Sequence, residues 1–279
     1  MMKLLTDKQL QALHSLAVRV GEGILATYHK DFDVFIKNDA SPVTQADLDA
    51  SEQLENDLPH IAPYPVLSEE NTPAKPDWTT WETYWLIDPI DGTRHFINKT
   101  GDFCICIALI HRHRAVFGLL YQPTTQTAWL AQSGDTAVNK FVNGKAVSVT
   151  DSRPTQLTAT LSSCLGTKTQ QLMQSLPDYT WYRRGSALKY VDIIEGKATL
   201  YPKMWDTCEW DSAAGQCLLE CCGGKVLRFD NGEALTYGMT DNLVNPHFIA
   251  YRYLGDEAIQ QLLSAYRQIY PAASQIGCS

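Results

Sequence analysis

The chain has 279 residues, 44% hydrophobic and 19% charged, enough apolar material for one large domain or two of ordinary size. Its formal net charge of −8 excludes broad binding to a nucleic acid polymer, so an anionic substrate needs local cations or a metal. No run approaches the ~18 apolar residues of a membrane span, and the eight cysteines show no paired C-x-x-C motif with zinc-ligand spacing.

These features predict a soluble protein of a reducing, cytoplasmic setting, with peripheral association at the cytoplasmic face of the inner membrane left open. Thr6 followed by Gln9 is a capping-box pattern ahead of a helix of about five turns, with Leu10, Leu13, Leu16, Val20 and Ile24 on its apolar face. Ser41-Pro-Val-Thr44 breaks the chain. A second helix starts at Thr44 with Leu48, Leu54 and Leu58 on one side. Short apolar runs at 65–67, 84–87, 103–110, 116–121 and 127–131 read as strands. The run around Cys104 is apolar on both faces and suits a central strand. Asn143-Gly144 marks a hairpin.

Polar content rises at Asp151-Ser-Arg-Pro154, which places a boundary between an N-terminal half, 1–153, and a C-terminal half, 154–279. The second half alternates strands at 158–162 and 198–201 with helices at 168–176, 186–195, 211–222 and 256–270. There is no internal repeat. The pattern is that of a layered α/β (α+β) protein.

The chemistry concentrates in Trp85-Leu-Ile-Asp-Pro-Ile-Asp-Gly-Thr93. Pro89 should turn the chain at the end of a strand and bring Asp88 and Asp91 to one point. Two carboxylates held together repel, and a hard divalent cation relieves the repulsion. A polar strand-to-turn boundary has the same composition. Ser68-Glu-Glu70 also follows a short strand and suits a ligand position or an ordinary solvated loop. Asp47, three residues after Thr44, fits either a helix cap or a holder of a metal-bound water. Trp210-Asp211-Ser-Ala-Ala-Gly215 opens a helix, with Asp211 as a plain N-cap or a partly buried ligand. Gly185-Ser-Ala-Leu-Lys189 opens another, a phosphate grip or a capped helix with a solvated lysine. Clustered carboxylates beside a phosphate grip fit phosphoester hydrolysis with two or three Mg²⁺.

Glu69-Glu70, Asp88-Pro-Ile-Asp-Gly-Thr93 and Trp210-Asp211-Ser-Ala-Ala-Gly215 resemble the ordered motifs of the inositol monophosphatase superfamily of Mg²⁺-dependent, lithium-sensitive phosphatases. Ser41-Pro-Val-Thr-Gln-Ala-Asp47, Pro65-Val-Leu-Ser-Glu-Glu70, Gly185-Ser-Ala-Leu-Lys189, Leu200-Tyr-Pro202 and Cys208-Glu-Trp-Asp211 resemble its CysQ group, the 3′(2′),5′-bisphosphate nucleotidases.

The resemblance implies a five-layer α-β-α-β-α sandwich. It implies metal ligation by Glu69, Asp88, the Ile90 carbonyl, Asp91 and Asp211. Asp47, Glu69 and Thr93 would be catalytic, with Asp47 and Thr93 acting on the attacking water. Glu69, Asp91, Gly92, Thr93, Gly185, Ser186, Lys189 and Asp211 would meet the substrate. The implied reaction is hydrolysis of adenosine 3′,5′-bisphosphate to AMP and phosphate, linked to sulfate assimilation. Mn²⁺ is the implied substitute ion, Li⁺ and Ca²⁺ are implied inhibitors, and the assembly is a monomer or homodimer.

Arg94-His95-Phe96 stands where the group has Lys-Glu-Phe, and Trp205-Asp206-Thr207 where it has Gly-Pro-Thr. Asp206 therefore imitates the motif acid, and the Ala-Ala-Gly after Asp211 decides for Asp211. The segment from Gly255 to Ser279 extends beyond the usual end. The rival readings are an inositol monophosphatase or another small phosphomonoester phosphatase of the superfamily, a haloacid-dehalogenase-type phosphatase, and a metal-loaded binding protein without turnover. The second needs acids at i and i+2, whereas Asp88 and Asp91 are i and i+3.

Overall fold

A computed structural model of the chain describes residues 3–37, 41–73, 77–149, 152–162, 166–176 and 178–271. The boundary expected at Asp151-Ser-Arg-Pro154 begins outside the described residues, as does the end of the C-terminal tail, 272–279.

Helix α1 (Asp7–Tyr28) forms behind its capping box: Gln9 N–H donates to Thr6 Oγ1 at 3.3 Å, and Thr6 N–H donates to Gln9 Oε1 at 2.9 Å. A short antiparallel pair, β1 (Val34–Ile36) and β2 (Pro42–Thr44), leads into α2 (Gln45–Ile61). The buried face of α2 is Ala46, Ala50, Leu54 and Leu58 at helical spacing. Leu48, expected on that face, is 40% exposed, because a six-residue offset from Leu54 turns it about a third of a turn away.

The larger sheet runs β3 (Val66–Ser68), β4 (Thr83–Asp91), β5 (Cys104–His111), β6 (Arg114–Gln122), β7 (Thr127–Gln132), β8 (Asn139–Val142) and β9 (Lys145–Val147) in spatial order. Helix α3 (Thr93–Ile97) sits between β4 and β5 in the chain. β3 pairs parallel with β4, and the remaining neighbours are antiparallel. Asn143 and Gly144 turn the last hairpin with φ of 50° and 72°.

The smaller sheet contains β10 (Thr158–Leu161), β11 (Thr180–Arg183), β12 (Leu200–Lys203), β13 (Lys225–Arg228) and β14 (Phe248–Tyr251), in the order β11-β10-β12-β14-β13. Its helices are α4 (Thr167–Met173), α5 (Leu188–Ile194), α6 (Ala213–Cys221) and α7 (Asp256–Ile269). Strands β11, β13 and β14 are not anticipated from the sequence.

Three apolar cores hold five layers together, the central one lying on both sides of α5 and α6. Trp85 and Ile87 of β4, with Ile105, Ile107 and Leu109 of β5, pack under α1 and α2. Tyr84, Leu86, Cys104, Cys106, Ala108 and Ile110, on the opposite face, pack against α5, α6 and the smaller sheet. The period-two alternation of the strands divides the two sets. The third core lies between the smaller sheet and α4 and α7. Gly118 of β6 brings strand and helix to backbone contact: a Cβ there would lie 2.3 Å from the Ala214 carbonyl oxygen of α6. Among the described residues, no helix is long and apolar enough to cross a membrane.

Candidate active site

Asp88 pairs with Cys106 and Asp91 with Cys104, so a step of three residues on β4 faces a step of two on β5. This bulge returns both carboxylates to the same face of the sheet. The expected turn at Pro89 is absent, and the strand continues through Asp91. β3 ends at Ser68, opposite Ile87, so on that side Pro89 has no neighbouring strand that needs an N–H. Asp88 Oδ1 accepts the Ile90 N–H at 2.9 Å. Gly92 follows with φ 98° and ψ 39°, and a Cβ there would meet the Asp102 carbonyl oxygen at 3.0 Å.

Glu69 leaves the end of β3, and its N–H donates to the Ile87 carbonyl at 3.2 Å. Asp211 lies in the 3₁₀ turn Glu209–Asp211, ahead of α6 rather than within it. Its carboxylate accepts the Cys208 N–H at 2.9 Å and the Thr207 hydroxyl. Carboxylate oxygens of Glu69, Asp88 and Asp211 lie within 4.8 Å of one another. Asp206 is not in this group.

Burial, then the charges of Glu69, Asp91 and Asp211, raises the Asp88 pKa well above the carboxylate range. Burial and Asp211 push Glu69 up to about 7, against the pull of Lys37. Burial and Asp211 also push Asp91 up to about 7, offset by Lys189 and the Ala187 N–H. Lys37 Nζ donates to Glu69 Oε1 at 2.9 Å and to Glu70 Oε1 at 2.8 Å. One ammonium does not neutralise this many acids. The donor set is all oxygen and fits a hard divalent cation.

Asp47 caps its helix and turns its other oxygen to Thr93. Its Oδ2 accepts the Thr44 N–H at 2.8 Å and the Thr44 hydroxyl at 2.6 Å, which caps α2. Its Oδ1 accepts the Thr93 hydroxyl at 3.3 Å, and the Ile90 carbonyl is a second acceptor for that hydroxyl at 3.3 Å. Asp47 is 1% exposed, and burial raises its pKa against the lowering by Thr44.

Beside the acids lies a cavity of about 280 Å³ whose lining includes Arg94, Arg184, Lys189 and Lys203, with Tyr201 and Trp205. Asp91 and Asp211 line it too. The expected grip is built differently. Helix α5 begins at Leu188, not at Gly185 or Ser186. Gly185 donates its N–H to Asp102 Oδ2 at 3.1 Å, and the Ala187 N–H goes to Asp91. Ser186 has φ 53°, a left-handed turn that keeps residues 185–187 out of the helix. Lys189 Nζ donates to the carbonyls of Ser186 at 2.6 Å and Arg184 at 3.3 Å. Burial, then Lys203, pushes its pKa down to about 8.

Lys37, Arg184 and Lys203 escape the sequence reading. Lys203 had a signal, since it shares a strand face with Tyr201 in β12. Arg184 is held by Asp102, Nη1 to Oδ1 at 2.6 Å, a pairing of residues 82 positions apart that no local pattern shows.

The chain matches the inositol monophosphatase family over residues 6–269. The chain belongs to this family. Its relatives include the 3′(2′),5′-bisphosphate nucleotidase CysQ of Shigella flexneri, 35% identical over 236 residues, which span 84% of this chain and 95% of that protein. The crystal structure of CysQ from Bacteroides thetaiotaomicron, a bacterial member of the family, is 30% identical with a TM-score of 0.73, covering 88% of this chain and 98% of that one. An IMPase/NADP phosphatase complexed with Mg²⁺ and phosphate shares the fold, with a TM-score of 0.72 at 19% identity over 92% of this chain and 95% of that one. The inositol monophosphatase family is metal-dependent, and the five-layer sandwich seen here is its fold.

Proposed function

We propose that this inositol monophosphatase family member is a Mg²⁺-dependent phosphomonoesterase that hydrolyses adenosine 3′,5′-bisphosphate to AMP and phosphate in the cytoplasm. One observation carries the reading: Asp91 and Asp211 border both the acidic cluster and a cavity furnished with Arg94, Arg184, Lys189 and Lys203 and edged by Tyr201 and Trp205. A single phosphomonoester does not need that many cations. A second phosphate and an aromatic base use all of them. The likeness to CysQ proteins points the same way.

Glu69, Asp88, the Ile90 carbonyl, Asp91 and Asp211 would hold the ions, which when bound polarise the phosphoryl group and acidify a water. Thr93 orients the attacking water through its hydroxyl. Asp47, accepting from Thr93, is placed to receive the proton, and burial makes it a better base than a solvated carboxylate. Gly92 and Thr93 offer backbone N–H groups to the departing phosphate. Lys189 uses its N–H bonds to two carbonyls for aim and retains a third donor for the substrate. Gly185 acts by holding Asp102 rather than by meeting the anion.

The test is phosphate release with Mg²⁺ from adenosine 3′,5′-bisphosphate and from inositol 1-phosphate, each with and without lithium. Fast, lithium-sensitive release from the nucleotide is expected. Preference for the inositol ester would keep the ion site and overturn the substrate. No release from either would return the protein to a binding role.

A further inference from the structure

Cys104 and Cys106 occupy alternate positions of β5, so both thiols project from one face. Across the ladder they oppose Asp91 and Asp88. Cys104 Sγ and Cys106 Sγ are 3.9 Å apart, and the Cys106 thiol donates to Asp91 Oδ2 at 4.0 Å. Ligand atoms of Asp91, Cys104 and Cys106 all lie within 4.8 Å of one another. Two sulfurs bound at ~2.3 Å to a tetrahedral Zn²⁺ lie about 3.8 Å apart, and a sulfur and a carboxylate oxygen about 3.5 Å apart. The sulfur pair is therefore already at ligating separation, and the carboxylate needs only a small approach.

We propose that Cys104, Cys106 and Asp91 form a second cation site, selective for a thiophilic divalent ion such as Zn²⁺. Both thiols are buried, but Asp91 lines the cavity, and so does Ser186, whose Oγ lies 3.5 Å from Cys104 Sγ. An ion enters from the cavity side, and the fourth position is left to water. Binding converts both thiols to thiolates and releases their protons to solvent. Mg²⁺ does not bind the thiols, because it prefers oxygen and avoids sulfur. An ion so placed draws the Asp91 carboxylate away from the Glu69, Asp88 and Asp211 group. It inhibits by competing with Mg²⁺ for that carboxylate, so added Mg²⁺ relieves the inhibition. Only this inhibitory consequence rests on the phosphatase reading; the ion site itself does not.

Co²⁺ is the spectroscopic probe. Titration of the reduced, full-length, Mg²⁺-free protein should give a thiolate-to-cobalt charge-transfer band. The band should persist in Cys217→Ser/Cys221→Ser and disappear in Cys104→Ser/Cys106→Ser, which should also lose inhibition by Zn²⁺. A band absent from the unsubstituted protein, or retained by Cys104→Ser/Cys106→Ser, would overturn the site. If that variant does not fold, zinc anomalous scattering from crystals of the unsubstituted protein decides: a peak between the two sulfurs supports the site, and its absence sinks it. Neither readout requires turnover, so loss of the nucleotidase reading leaves this test intact. An active phosphatase without the band or peak overturns the thiol site alone.

Discussion

Replacing Asp88 by asparagine separates the electrostatics of the acidic cluster from its packing. Asp88 is 2% exposed, and its carboxylate oxygen lies within 4.8 Å of oxygens from Glu69 and Asp211. Two unit charges at that separation repel by roughly 3.5 kcal/mol at an effective dielectric of about 20. Asparagine keeps the shape and the oxygen that accepts the Ile90 N–H at 2.9 Å. In the metal-free protein Asp88 escapes these repulsions by keeping a proton, and Asp88→Asn removes the cost of taking that proton up. Protons already retained by the cluster reduce the gain, leaving a net stabilisation of about 2–4 kcal/mol at mildly alkaline pH. For a chain of this size that raises Tm by roughly 5–10 °C.

Mg²⁺ acts in the opposite direction. Saturation at a hundred times Kd stabilises the unsubstituted protein by about 2.7 kcal/mol, and Asp88→Asn should gain little of this. Scanning calorimetry in chelator and in excess Mg²⁺ reads both effects, and phosphate release should fall to near background. A variant that melts below the unsubstituted protein in chelator, or that keeps the full Mg²⁺ shift, would refute the reasoning.

Three further outcomes are expected. Glu69 and Asp91, raised to about 7, hold protons in the folded state that the unfolded chain has released from its ordinary carboxylates, so metal-free stability falls as pH rises from about 4 through about 7. Mg²⁺ must displace those protons, so its stabilising shift should grow through the same window; Tm with and without Mg²⁺ from about pH 5 to about pH 9 checks this, and a flat shift contradicts it. Lys203→Met should raise KM for adenosine 3′,5′-bisphosphate about tenfold with little change for inositol 1-phosphate, and equal effects on both would remove Lys203 from the nucleotide end. Gly118→Ala, which sets a methyl 2.3 Å from the Ala214 carbonyl oxygen, should destabilise by about 1–3 kcal/mol and weaken Mg²⁺ binding through Asp211; unchanged denaturation would show that α6 yields freely.

The parts of the site legible in the sequence are those that local spacing fixes. Thr6 and Gln9 form their cap, Thr44 and Asp47 form theirs, and the acids at 69, 88 and 211, each marked by its own local motif, lie together. Pro89 misleads, because its effect depends on whether a neighbouring strand is present, and β3 ends just short of it. Gly185 misleads for a similar reason: its N–H belongs to Asp102, a residue on a distant loop. The cationic cavity is the least legible part. Lys189 shows in its Gly185–Lys189 motif and Arg184 adjoins it, but Arg94 and Lys203 come from separate segments that only tertiary packing brings to them.

The close contact of Gly118 with Ala214 has a consequence for how opening events spread. Asp211 immediately precedes the helix that this contact clamps, whereas Glu69, Asp88 and Asp91 belong to the larger sheet. An ion held among them would bridge the larger sheet and the central helical layer. Any fluctuation that lifts α6 from β6 would then also release the ion, so occupancy would oppose local breathing on both sides of the central core. Amide hydrogen exchange should therefore slow together in β5, β6 and α6 when the ion binds, including at amides far from any carboxylate.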